Sequence, residues 1–568
     1  MKKSNHPFPA VPLKEIWVRG TPREIGRQHA EAVEGTIQQG MPRFYYEFWQ
    51  RMAHPANADL SKRIGMGLAW KFLETVIVRK MHRQVPDWAL DRVKGLCEVS
   101  GRDLREMTTA LILPDLFPLF EVWAAKWYPQ LFVEVEFPPL FGCSSFFSRG
   151  ERFLFGRNLD FPGVSYWDRF PVIQVTEPKN SLRYIAFSSA GVPFGGITGV
   201  NEAQISVALH QHYSSAGSLG GKLPFLIAEQ VLMEARTLAE AQEIIGRHPV
   251  ATSWAFLVGD GKAKEAMIFE CHAKASKVNW LIGNHLAHSN FYQTPDCRRD
   301  EFATSTRMNW DNYCRKNRLD QLLAEAGSEL SAERAVQILS DHYDPYWEEE
   351  KPFNRTVSQV YNIQSILFDL ENMKVYMAEG DSPIHLGRYV PYDLGKLFSG
   401  HSGRGEASLL GYQFSSATKR SAKEKFILSF VKAFDGDFLS AERDLDASLA
   451  DDYVPEAALI QGVLKLKRNQ FAEAALVFDK ARAFIEKKKN DKGKDEFPPE
   501  YFEILIYLAR SYDLLRRFAD AERIYDLILN SPSAKDSNLR RIAKNRIRYE
   551  PRHLDKILMP YSSYIPFQ

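Results

Sequence analysis

The hydrophobic period of this chain changes twice, and those changes limit what it can fold into. Residues 15–110 carry apolar side chains at helical spacing, clearest at 25–37 and 91–99. At Gly142-Cys143-Ser144-Ser145-Phe146 the period shortens to that of a strand. Strand-like runs follow at 153–161, 172–175, 184–188, 196–200 and 205–210. Two helical stretches at 224–235 and 238–246 come next, and strands return at 255–259, 266–270, 278–282, 360–370 and 375–380. Strands, then helices, then strands predict an α+β core of two sheets covered by helix layers.

From about residue 421 the chain is helical again and repeats itself. Gly436-Asp437-Phe438-Leu439-Ser440-Ala441 matches Asn469-Gln470-Phe471-Ala472-Glu473-Ala474, and Arg516-Arg517-Phe518-Ala519-Asp520-Ala521 matches both. Phe438 and Phe471 are 33 residues apart, which resembles the tetratricopeptide period of about 34. The next interval, 47 residues, absorbs the polar insert at 487–495. Such an array either binds a partner protein or braces a neighbouring domain; repeat architecture alone does not choose.

Charge and cysteine content exclude several classes. A formal net charge of +2 gives no reason to expect nucleic acid. The apolar run at 111–142 contains Asp115, Glu121, Lys126, Glu134 and Glu136, so it does not read as a membrane span. It reads either as a leader packed on the core or as an apolar wall for an acyl chain or a membrane-facing lip. Five cysteines without a CxxC pair indicate neither a zinc ribbon nor a disulfide framework. With a basic start that lacks an apolar segment, they favour a reducing, cytoplasmic setting. His210-Gln211-His212 and His285-x-x-His288 lack a nearby acidic or thiol ligand at metal spacing. No metal and no cofactor are expected.

The chemistry points to Cys143. Glycine at 142 leaves its carbonyl open to the neighbouring thiol and tolerates strained backbone angles. Attack by that thiol would free an α-amine on Cys143 itself, with a pKa of about 7.7–8, able to serve as base near neutrality. Arg157 would lower the thiol pKa or hold a substrate oxygen, and Asp160 would orient the amine. The alternative is a buried structural cysteine beside a fold-stabilising Arg–Asp pair.

The surroundings add weight. Gly142-Cys143-Ser144-Ser145, Gly156-Arg157-Asn158-Leu159-Asp160-Phe161, Gly199-Val200-Asn201-Glu202, Asn284-His285, and Arg315 with Arg318-Leu319 and Leu322-Leu323 occur in order. Upstream stand Gly20-Thr21-Pro22-Arg23-Glu24-Ile25-Gly26 and Gly95-Leu96-Cys97-Glu98. Together, over residues 15–395, they resemble the N-terminal-nucleophile hydrolases of the isopenicillin N acyltransferase type, related to acid ceramidase and bile-salt hydrolase. The resemblance implies a four-layer αββα fold and autocleavage before Cys143. It further implies an acyl-thioester on Cys143 formed from a small-molecule N-acyl amide, released to water or to an amine. It makes Asn284, His285 and Arg315 substrate-binding candidates. Where relatives carry oxyanion-holding asparagines, this chain has His210 and Thr252 or Ser253. That departure supports a second reading, a catalytically silent scaffold whose repeats recruit a partner.

The expected organisation is a helical leader at 1–142, which stays bound as its own cleaved chain, and a catalytic domain at 143–398. A linker at 399–420 and a helical-repeat domain at 421–568 complete it.

Overall fold

Along the strands after residue 142, successive side chains point to opposite faces, and on most strands both faces are buried. Such strands need cover on two sides. The computed structural model describes residues 12–45, 73–127, 142–161, 166–302, 306–351, 354–434, 437–534, 538–546 and 548–556. The basic start, the later aromatic run including Tyr128, Leu131 and Phe132, and the last residues of the chain lie outside them.

In chain order the strands are β1 (Lys14–Gly20), β2 (Gly142–Arg149), β3 (Phe153–Asp160), β4 (Pro171–Pro178), β5 (Tyr184–Ser189), β6 (Thr198–Asn201), β7 (Ile205–Gln211), β8 (Trp254–Asp260), β9 (Glu265–His272), β10 (Ala275–Trp280), β11 (His285–His288), β12 (Tyr343–Asp344), β13 (Glu349–Glu350), β14 (Asn362–Asp369), β15 (Lys374–Glu379), β16 (Arg388–Asp393) and β17 (Leu409–Leu410). Among the described residues they form an eight-stranded sheet, β1-β4-β5-β6-β7-β8-β9-β10, and a seven-stranded sheet, β11-β2-β3-β14-β15-β16-β17. β12 and β13 make a separate hairpin.

The two sheets share an apolar layer in which Phe147, Phe155 and Phe368 meet Ile185, Phe187 and Leu257. Phe147 stacks on Phe155 at 4.3 Å between centroids, and Phe187 meets Phe368 edge-on at 5.3 Å. Helices α1 (Pro22–Ala32), α2 (Asp87–Ser100), α3 (Leu104–Trp127), α4 (Pro224–Glu234) and α5 (Leu238–Gly246) cover the eight-stranded sheet. Helices α6 (Thr306–Ala326) and α7 (Ala332–Leu339) set Leu319, Leu322 and Val336 against Phe146 and Leu154 of the other sheet. This is the expected four-layer αββα arrangement.

The region before residue 142 is not wholly helical. β1 lies parallel to β4 at the edge of its sheet, Ile16 opposite Gln174 and Val18 opposite Thr176. Behind it, α1 and α2 cross backbone to backbone. A Cβ on Gly26 would lie 2.0 Å from the Arg92 carbonyl oxygen, and one on Gly95 would lie 2.0 Å from that of Arg23. A buried Arg92–Glu229 ion pair joins α2 to α4, and His29 Nδ1 sits 2.6 Å from the Gln174 amide oxygen.

The expected linker at 399–420 is bound to the core. Leu409 and Leu410 pair with β16, and the Tyr412 hydroxyl and the Ser415 N–H both donate to Glu350. Beyond it run α8 (Ala417–Phe434), α9 (Phe438–Asp451), α10 (Pro455–Lys467), α11 (Phe471–Asp491), α12 (Pro499–Leu514), α13 (Phe518–Asn530) and α14 (Asn538–Asn545). The three sequence repeats share one turn. Asp437, Gln470 and Arg517, each just before a helix, have φ/ψ of −83/71, −90/60 and −90/60. Each N–H bonds the carbonyl five residues back, at 2.9, 2.9 and 2.8 Å, as in a Schellman closure. Ala441, Ala474 and Ala521 are buried where helices approach.

Replacing Gly95 with alanine should therefore destabilise the protein by about 1–3 kcal/mol through overpacking against α1. Denaturant unfolding of the Gly95→Ala chain measures this directly.

Candidate active site

β2 and β3 pair in regular register, Gly142 opposite Asp160, Cys143 opposite Leu159 and Ser145 opposite Arg157. Strand alternation therefore puts Cys143, Ser145, Arg157 and Leu159 on the face toward β7. Ser144, Asn158 and Asp160 lie on the face toward α6. Arg157 and Asp160 thus lie on opposite faces of β3, Arg157 on the side of the Cys143 thiol and Asp160 beside Gly142.

On the first side Cys143 is buried, with Sγ 3.9 Å from the Leu209 carbonyl oxygen. Arg157, fully buried, donates to the carbonyls of Leu209 and Asn158 at 2.8 and 2.9 Å. Burial pushes the Cys143 thiol up, and the adjacent Arg157 charge pulls it back. Arg157 Nε is buried without a hydrogen-bond partner.

The Cys143 backbone is held from two elements. Its N–H donates to Asn290 Oδ1 at 2.6 Å. Its carbonyl accepts from Arg315 Nη1 on α6, which also donates to Ser144 Oγ at 2.8 Å. The other Arg315 donors reach Asp311 Oδ2 at 2.8 Å, Asn290 Oδ1 at 3.2 Å and Asn312 Oδ1. The five N–H groups of a guanidinium thus meet five acceptors. Asn290 Nδ2 in turn donates to the Gln211 carbonyl, and Gln211 Nε2 donates to the Pro114 carbonyl, each at 2.9 Å. That carbonyl is free because Pro118, four residues on in α3, has no N–H. α3 thereby reaches the site.

Asp160 Oδ1 accepts from Asn362 Nδ2 at 2.8 Å, while Oδ2 is buried with no hydrogen-bond partner. Burial, opposed by Arg315, raises this carboxyl to about 7. A bulge at Ile363, between Asn362 opposite Asp160 and Gln364 opposite Leu159, brings Asn362 into place. Gly142 is not left-handed, so its glycine supplies room rather than special angles. A Cβ there would sit 3.3 Å from Asp160 Cβ and 3.5 Å from its Oδ2.

Other expected residues are engaged elsewhere. The His210 ring lies 2.7 Å from Ser145 Oγ and 3.5 Å from the Ser289 carbonyl, and burial with the Arg157 charge lowers its pKa. Thr252 donates its hydroxyl to Asp115, which also accepts from Trp254 Nε1 at 2.9 Å. Ser253 is buried, and its carbonyl accepts from the His212 N–H at 2.9 Å. Asn284 and His285 are not brought to Cys143; His285 opens β11 opposite Ser148, and the Asn284 carbonyl accepts from the Arg149 N–H. The asparagine at the site is Asn290, in a second Asn–aromatic pair with Phe291. His288 Nδ1 accepts from the Gln293 amide, so its Nε2 donates to His212 Nε2, each contact 2.9 Å.

Next to Leu159, which pairs with Cys143, lies an apolar cavity of about 20 Å³, near the space of one water. Met41, Phe44, Tyr45, Leu113 and Pro114, all before residue 142, form one wall. Leu159, Phe161, Trp167, Phe194, Ile197 and Phe225 form the other. Phe146 points away, into the layer under α6.

Residues 148–383 match the family described as acyl-coenzyme A:6-aminopenicillanic acid acyl-transferase. The match begins five residues after Cys143 and spans Arg157, Asp160, Asn290, Arg315 and Asn362. No curated protein matches the chain. No helix among the described residues is long and apolar enough to cross a membrane.

The raised Asp160 carboxyl makes stability depend on pH. Its folded value of about 7 exceeds the ordinary 3.8, so the folded chain binds this proton more tightly. The contribution is complete below about pH 4 and is lost as the pH rises to about 7. In an uncleaved Cys143→Ala background, the chain with Asp160 should lose up to about 4 kcal/mol more between those pH values than the one with Asp160→Asn. Asp115, also raised by burial to about 7, titrates in both chains and cancels. Denaturant melts at a series of pH values measure the difference.

Proposed function

We propose that the chain cleaves its own Gly142–Cys143 peptide bond and then acts as a cysteine amide hydrolase or acyltransferase. The observation that carries this is the separate handling of each part of Cys143. Asn290 holds the nitrogen, Arg315 the carbonyl, Arg157 borders the thiol, and an unpartnered Asp160 oxygen stands beside Gly142. The match over residues 148–383 supports the same reaction class.

In the first reaction the thiol attacks the Gly142 carbonyl, the C–N bond breaks, and the Cys143 nitrogen leaves as an amine. Water then hydrolyses the resulting thioester and frees the Gly142 carboxylate. In the second the α-amine takes the thiol proton, and the thiolate adds to a substrate amide carbonyl. The ammonium returns that proton to the leaving amine. Water or another amine resolves the acyl-thioester. Asp160 Oδ2 gains the ammonium as its missing partner, and Arg157 Nε is a free donor for the tetrahedral oxygen. That role shifts from His210 and Thr252, whose side chains are committed to Ser145 and Asp115, and from Ser253.

The leader stays attached after cleavage through β1, the Arg92–Glu229 pair and the Asp115–Thr252 bond. It forms half of the apolar cavity, which we assign to the acyl group; a chain entering there separates the leader wall from the core wall. All five cysteines are free, which suits a reducing compartment such as the cytoplasm. The C-terminal helices are read as tetratricopeptide-like. The engaged side chain of Thr252 favours the second reading, a silent scaffold.

Intact mass separates the two readings. Wild-type protein should give fragments 1–142 and 143–568 that co-purify, and Cys143→Ala a single chain. A wild-type chain that stays whole yet turns over amides would refute the N-terminal-nucleophile mechanism.

The cavity predicts substrate preference. Each buried methylene is worth about 0.8 kcal/mol, so kcat/KM should rise roughly three- to fourfold per carbon until the space is filled. A series of N-acyl chromogenic amides of increasing acyl length tests this; a flat series removes the cavity from the acyl site.

A further inference from the structure

The C-terminal helices meet the catalytic layers through buried charge. Glu456 and Glu500 lie in the first turns of α10 and α12, where the helix dipole favours an anion, and both are fully buried. Facing them, Arg355 Nη1 donates to Glu500 Oε2 at 2.7 Å and Nη2 donates to Asp344 Oδ2 at 2.8 Å. Lys351 bonds Glu456, and Asn354 Nδ2 donates to the same carboxylate at 2.9 Å. Lys351, Asn354 and Arg355 are thereby clamped to the helical region.

That clamp continues to the thiol. The Arg355 backbone N–H donates to Asp311 Oδ1 at 2.7 Å, and the other Asp311 oxygen accepts from Arg315 Nε. Arg315 grips the Cys143 carbonyl. A second arm starts on α8. Buried Lys423 donates to Ser358 Oγ at 2.9 Å, and that hydroxyl meets His385 Nε2 at 2.6 Å. The His385 N–H donates to Asn362 Oδ1 at 3.2 Å, and Asn362 donates to Asp160. Both arms consist of buried groups, and both end on residues around Cys143.

We propose that Glu500, Glu456 and Arg355 are positioning residues for Cys143, so that the helical-repeat region is a working part of the active site. The catalytic half of this inference rests on the proposed thiol reaction; the bracing half does not. Truncating the C-terminal helices would then disable the thiol even though they contribute no group to the reacting atoms.

The test uses full-length Glu500→Gln and Glu456→Gln chains, with Leu476→Ala on the exposed face of α11 as control. Hydrogen exchange by mass spectrometry over residues 354–361 reads the Arg355 amide, and kinetics on an N-acyl amide read turnover. The glutamine chains should exchange about tenfold faster at Arg355 and lose about tenfold in kcat, with KM within about twofold. Leu476→Ala should match wild type in both. Folded glutamine chains with unchanged exchange overturn the inference, as does faster exchange with unchanged kcat. If wild-type protein neither cleaves nor turns over amides, the proposed function fails, and the exchange result alone upholds or overturns the bracing. If a glutamine chain does not fold, Arg355→Lys, which keeps the charge but loses the fork, takes its place under the same criteria.

Discussion

A guanidinium shut away from water must have its donors met and its charge balanced, and Arg315 imposes both conditions on this fold. Meeting them draws Cys143 and Ser144 from β2, Asn290 from beyond β11, and Asp311 and Asn312 from its own helix to one point. Asp311 and Arg315 share a helix face because they are four residues apart. Once the charge is placed, the Cys143 carbonyl has one position, and with it the direction of the thiol. Strand pairing sets the remainder, since Arg157 and Asp160 follow from the β2–β3 register.

The strand period explains why a three-residue spacing serves one site. Arg157 and Asp160 cannot share a face of a regular strand, and they do not. Cys143 has groups on both sides of β2, and each charged residue takes one. Asp160 also needs Asn362, which a bulge in the neighbouring strand delivers.

Much of this was legible because local pattern determines it. The strands from 142 to 211 and from 254 to 280, both central helices and the C-terminal helices read correctly from periodicity. The repeats even share turn angles, since the same short motif closes each helix. What stayed hidden depends on distant partners. β1 makes sense only beside β4, and β11 is four residues long. Asn284-His285 and Asn290-Phe291 are equally good Asn–aromatic signals in sequence; only the pairing of His288 with Ser145 brings the second pair to the site. Thr252 is bonded to Asp115, a partner that no spacing announces. The glycine- and serine-rich stretch at 399–408 suggested a free linker, but β17 and Glu350 fasten the residues that follow it.

The order in which the parts are made has a consequence of its own. Cys143 is completed early, but Asn290, Arg315 and Asn362 follow 147, 172 and 219 residues later, and Glu500 later still. A ribosome adding about 5–20 residues per second needs roughly 10–35 s to pass from Cys143 to Arg315. Until Asn290 is made the Cys143 backbone lacks both its asparagine and its arginine, and until Arg315 is made its carbonyl lacks the guanidinium. Synthesis itself sets an order, and a nascent chain that stalls before α6 carries Cys143 without the guanidinium that grips its carbonyl.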